Sequence, residues 1–124
     1  MRHRKTTPKL GRKKDARTRM LRNLVTSLFL EERVVTSQAR AKAARSLAER
    51  IITKGKNDTV HSRRLVAGMV YGSIAVKKVF NELGLRYAER PGGYTRLVKL
   101  GPRHGDAAEA VILELVDSPA KSGK

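Results

Sequence analysis

An α+β domain of about four helices and a C-terminal β-hairpin, preceded by a basic extended arm, is what this 124-residue chain predicts. Three observations point there. Apolar residues recur at three-, four- and seven-residue spacings between residues 15 and 83, the period of helices buried along one stripe. Two β-rich runs, 94–100 and 110–116, flank a cluster of turn formers. The opening segment MRHRKTTPKLGRKK has Met1 and Leu10 as its apolar side chains against seven strong cations, too little apolar surface to fold by itself.

Each element has a local signal. Residues 1–14 read as the arm, 15–117 as one globular domain and 118–124 as a flexible tail. Asp15 is placed to cap a first helix running to about Leu30, with Leu21, Leu24, Val25 and Leu28 inward. Glu31 to Thr36 reads as a turn and a short strand near 33–36. Thr36 or Ser37 caps a second helix to about Lys54, striped by Ala44, Leu47, Ala48, Ile51 and Ile52. Gly55 stops it, and Asp58 or Thr59 caps a third helix to about Tyr71, using Leu65, Val66, Met69 and Val70. Gly72-Ser73 breaks the chain and starts a fourth helix on Val76, Val79, Phe80 and Leu83. It is expected to end at Gly84 in the left-handed conformation that glycine tolerates best. Tyr94–Leu100 and Ala110–Val116 then pair as a hairpin across the loop GPRHGD.

Charge decides the functional class. Lys and Arg total 28 against 11 Asp and Glu, a formal net charge of +17. Self-repulsion on this scale favours a polyanionic partner. There are no cysteines, which removes disulfides and thiolate chemistry and fits a reducing cytosol. No apolar run approaches the ~18 residues of a membrane span, and the basic opening leads into no signal-peptide core. The cations are Lys13 and Lys14 at the arm's end, Arg17 and Arg22 on the first helix, Arg40, Lys42 and Arg45 on the second, and Arg63 and Arg64 on the third.

The stretch RPGGYTR, residues 90–96, resembles a phosphate cradle only superficially. A P-loop runs from strand into helix and ends in Lys-Ser or Lys-Thr, so that helix N–H groups meet phosphate. Here the glycines lead into a strand. The reading is a Pro-Gly-Gly turn that holds Arg90, Tyr94 and Arg96 at one end of the sheet, where arginines can clamp phosphate and Tyr94 can bond it or stack on a base. His3, His61 and His104 are far apart and form no metal-ligand spacing. His104 beside Asp106 in a glycine-rich loop is loop chemistry before it is catalysis. The expectation is therefore no catalytic residue, no metal, no cofactor and no small-molecule substrate. Cations scattered over arm, helices and hairpin suit a folded RNA better than a DNA duplex, and the strand-like VVT after the first helix fits a helix-turn-helix poorly.

Several stretches, in order, carry a resemblance: MRHR, Lys9-Leu10-Gly11-Arg12, Arg22-Asn23, Thr36-Ser37 with Arg40-Ala41-Lys42, Arg63-Arg64, Phe80-Asn81-Glu82-Leu83-Gly84, Gly92-Gly93-Tyr94-Thr95-Arg96, Gly105-Asp106 and Glu114-Leu115-Val116-Asp117. From Met1 to about Asp117 the chain resembles the bacterial large-subunit ribosomal proteins of the L-seventeen family. The resemblance implies a two-layer α/β domain whose three-stranded sheet adds the Val34-Val35 segment. It implies a structural role on 23S rRNA near the peptide exit tunnel of the cytoplasmic ribosome, among neighbouring ribosomal proteins, with no enzymatic activity. It assigns the arm's Arg2, His3, Arg4, Lys5, Lys9 and Arg12 to rRNA, and adds Asn23 to the cations named above. Two positions depart from the family pattern: Ala16 stands where a His is usual, and Ala43 where a Glu is common. The alternative class is a nucleoid-type or other accessory nucleic-acid-binding protein, and a third is a small RNA-processing enzyme.

Overall fold

The computed structural model describes residues 13–102, 105 and 109–117. Arg2, His3, Arg4, Lys5, Lys9 and Arg12 lie outside the described residues, as do His104, Asp106 and the 118–124 segment.

Helix α1 (Lys14–Glu31) begins one residue before Asp15. Lys13 occupies the cap position without a side-chain bond, so Asp15 is no cap. Its carboxylate stands in the first turn, where it complements the positive end of the helix. Leu21, Val25, Leu28 and Phe29 form the buried stripe.

The helix stops at Glu32, whose φ of 70° is left-handed and unusual for a residue with a side chain. Surrounding bonds hold it there. Its N–H donates to the Leu28 carbonyl at 2.7 Å, and its own carbonyl accepts from Leu115 N–H at 3.0 Å. The carboxylate is 3% exposed and takes a bidentate fork from Arg86, 2.8 Å on each oxygen, with Lys78 Nζ at 2.9 Å. Hydrogen bonding to Glu32 pushes the Arg86 pKa further up, against the opposing effect of burial. One acidic residue thus ends α1, anchors the sheet and ties down the fourth helical segment.

Strand β1 (Arg33–Ser37) leads directly into α2 (Gln38–Gly55), where Ser37 Oγ accepts from Arg40 N–H at 3.3 Å as expected of a cap. Thr59 likewise caps α3 (Val60–Ala67), accepting from Ser62 N–H at 3.0 Å. This helix ends earlier than its apolar pattern suggests. Gly68 N–H bonds back to Arg64 and Leu65, and Met69 and Val70 continue as turns, with Val70 still buried. Helix α4 (Ser73–Lys78) runs on through a π-helical stretch (Val79–Leu83) into α5 (Gly84–Arg86).

Gly84 therefore does not end the helix; its φ is −60°. The glycine is required for a different reason. A Cβ on Gly84 would lie 2.2 Å from the Gly55 carbonyl oxygen, and one on Gly55 would lie 2.6 Å from Val79 Cγ1. Two backbones meet where neither side can yield. Gly84→Ala should destabilise by about 1–3 kcal/mol or more, the overpacking range, although alanine is the better helix former. A melting curve equal to wild type would contradict this contact.

The sheet has the order β1-β3-β2, with β2 (Thr95–Pro102) and β3 (Glu109–Leu115) antiparallel and β1 antiparallel to β3 on its other side. The third strand is present. Val111, Leu113 and Leu115 face the helices and join the core with Leu28, Phe29, Ile51, Ile52, Val79 and Leu83. Alternation places the cross-strand row Val35, Ile112 and Val98 on the opposite face. The molecule is thus two-layered, helices over sheet. None of its described helices is long and apolar enough to cross a membrane.

Candidate nucleic-acid interface

Two groups of cations emerge, distinguished by whether they already have a partner. Arg63 donates to both oxygens of Asp58, at 2.6 and 2.9 Å, reaches Asn81 Oδ1 at 3.3 Å and lies 4.8 Å over the Phe80 ring. Its hydrogen bond holds the Asp58 carboxyl below the usual carboxylate range. Arg90 pairs with Asp117 at 3.0 Å, and Arg96 with Glu114 at 2.6 Å. Arg45 lies 4.0 Å from Glu49. These pairs are solvated, so each is worth little and can be exchanged for phosphate.

The second group makes no ion pair with any described residue: Lys13, Lys14, Arg17, Arg40, Lys42, Arg50 and Arg64, to which Arg19 and Lys77 add. All but the half-buried Arg17 are exposed, and they project from α1, α2 and the α3–α4 region. Asn23 is exposed on α1. Arg50 was missed by sequence reasoning, which stopped at the opening turns of α2. The signal was available: Arg50 is seven residues from Ala43 and four from Ser46, so it shares their face. Arg64 and Lys77, with Val60 and Val76, line an open groove between α3 and α4.

Two expected contacts are diverted into the fold. Tyr94 is 1% exposed. Its ring packs 5.2 Å from Tyr87, and its hydroxyl lies 3.3 Å from Thr53 Oγ1, so it has no face left for a base. Tyr87 in turn donates to the Val116 carbonyl, and burial raises its pKa. Arg22 is half-buried; Nη2 donates to the Val70 carbonyl at 3.1 Å, and the guanidinium stacks 4.2 Å from the Tyr71 ring.

The 90–96 stretch is a turn into a strand. Gly93 adopts φ of 67°, and Glu49 Oε2 accepts from Thr95 N–H at 3.2 Å and Oγ1 at 2.8 Å, fixing the turn to α2. No helix N-terminus follows it, so no cradle forms. Among the described residues no group of three or more His, Cys, Asp or Glu could hold a metal ion.

Comparison with known proteins gives one answer. The family described as "Ribosomal protein L17" matches residues 20–116. A large ribosomal subunit protein bL17 from Carboxydothermus hydrogenoformans is 55% identical over 108 residues, covering 87% of this chain and 96% of the relative. Those of Syntrophus aciditrophicus and Pelobacter propionicus are 53% and 49% identical, each covering 94% of this chain and 93% and 92% of the relative. With the family match spanning every described helix and strand beyond the first turns of α1, this chain belongs to the ribosomal protein L17 family.

Proposed function

We propose that the chain is a structural constituent of the large ribosomal subunit in the cytoplasm, binding 23S rRNA near the peptide exit tunnel. It would neutralise and bridge RNA segments that repel one another. The observation that supports this most is the display of Arg17, Arg40, Lys42, Arg50 and Arg64 on rigid helices without described carboxylate partners, in a chain of net charge +17. Unpaired guanidinium and ammonium groups have their full charge to give to phosphate. Exposed Val35, Val98 and Leu100 on the sheet are surface that RNA covers poorly, which supports neighbouring ribosomal proteins as further partners. The role is positional, with no reaction assigned.

Sedimentation of cell extract through a sucrose gradient tests it. The protein is expected in the large-subunit fractions; recovery mainly in ribosome-free fractions would favour the accessory nucleic-acid-binding class. Binding to large-subunit rRNA should fall by about 10³–10⁵ between 50 and 200 mM salt, as ~6–10 phosphate contacts require. A flat salt response would contradict the electrostatic reading. A crosslinking map of RNA positions tests the exit-tunnel location directly.

A further inference from the structure

An open groove of about 590 Å³ lies between α3 and α4. Val60, Arg63, Arg64 and Ala67 line it from α3, and Ser73, Val76 and Lys77 from α4. Spacings of three, four and seven residues put each set on one face of its helix, so the groove has two matching walls. Arg63 sets their separation. Already forked onto Asp58, it donates from Nη2 to Asn81 Oδ1 at 3.3 Å and stacks 4.8 Å over the Phe80 ring. Asn81 and Phe80 belong to the helical stretch that continues α4, so one guanidinium ties wall to wall.

The groove combines cations with apolar surface. Arg64 and Lys77 are exposed, one on each wall, and neither makes an ion pair with any described residue. Among the described residues no carboxylate lines the groove. Val60, Ala67 and Val76 supply the apolar surface, with Val60 67% exposed. Two uncompensated positive charges on one groove repel each other, and an anion seated there would relieve both.

We infer that this groove seats a short run of RNA sugar–phosphate backbone, with phosphates on Arg64 and Lys77 and the intervening ribose against Ala67 and Val76. The inference rests on the RNA-binding reading above. The volume falls in the ~300–1,000 Å³ range of sites that hold ligands of many atoms, so a lone inorganic anion would leave most of it empty. A base is a poor occupant, because no described aromatic side chain lines the groove and Phe80 is already covered by Arg63. An acidic peptide is favoured less, since peptides are held by a large side chain sunk in a desolvated pocket, and this groove is open. Backbone needs neither. It brings successive anions with a C–H surface between them, which is the pattern of the walls.

Two variants test it on large-subunit rRNA transcript, read by hydroxyl-radical cleavage of the RNA backbone. Lys77→Gln removes one charge. Ala67→Gln keeps every cation and fills the groove from an exposed helix position. Wild type should protect a short run of consecutive nucleotides, and both variants should lose that protection while protections elsewhere persist. Affinity should fall by roughly tenfold, the worth of about one charge-assisted hydrogen bond, at an unchanged melting temperature. The salt slope should drop by about 1 for Lys77→Gln and by up to about 2 for Ala67→Gln, although the latter removes no charge. Wild-type protection and slope in Lys77→Gln and in any folded Ala67→Gln would overturn the inference. So would a loss of protection confined to base edges, read with dimethyl sulfate, which would mark a base seat. A wild-type protein that leaves no footprint anywhere would instead defeat the RNA-binding reading.

Discussion

Glu32→Gln should lower stability by about 3–5 kcal/mol, the cost of breaking a buried ion pair from one side. At roughly 4 °C per kcal/mol for a domain of this size, the melting temperature should fall by about 12–20 °C. Glutamine keeps the shape of the side chain and the same left-handed backbone, so strain at φ 70° is unchanged. What changes is the charge facing Arg86 and Lys78, whose side chains are 12% and 17% exposed. Both cations would remain largely out of water without their shared partner. Glu82→Gln provides the control. It removes a carboxylate 2.9 Å from the same Arg86, but Glu82 is 52% exposed, and a solvated pair is worth about 0–1 kcal/mol. Equal melting curves for the two variants would show that the Glu32 junction contributes nothing special.

Removing residues 2–12 should weaken binding to large-subunit rRNA by about 10²–10³ at 0.15 M salt and reduce the salt slope by about 4–5, one counterion for each of five lost cations. Those cations are Arg2, Arg4, Lys5, Lys9 and Arg12. The cut spares α1 and its Lys13 cap position, so thermal unfolding of the free protein should be unchanged within a few degrees. A large loss of stability would show that the segment is part of the folded domain. An unaltered salt slope would remove the arm from the interface and leave binding to the helix-borne cations alone.

Much of the fold could be read from local pattern. The stripes of α1 and α2, the Ser37 and Thr59 caps and the paired runs at 95–102 and 109–115 are set by residues near in sequence, and periodicity reports such features directly. The misreadings share a cause, which is that their explanation lies across the fold. Gly84 looks like a helix stop, and only the approach of Gly55 shows that it is a contact. Glu32 looks like one acid in a surface turn; its partners are 46 and 54 residues away. Tyr94 sits in a motif full of basic groups, yet Tyr87 and Thr53 claim it. In the candidate interface, charge could be read from the sequence and the pairing of each cation could not. Sequence shows where cations are, while Arg63, Arg90 and Arg96 differ from Arg17, Arg40 and Lys42 through carboxylates that folding delivers.

The order β1-β3-β2 also bears on how the chain is made. Of the described strands β3 is the last to leave the site of synthesis, and both others depend on it for every ladder bond. Until residue 115 has emerged, β1 and β2 have nothing to pair with, and the helices have no sheet to cover. Vectorial growth can thus yield helices early but not a finished architecture, and the final closure waits for β3.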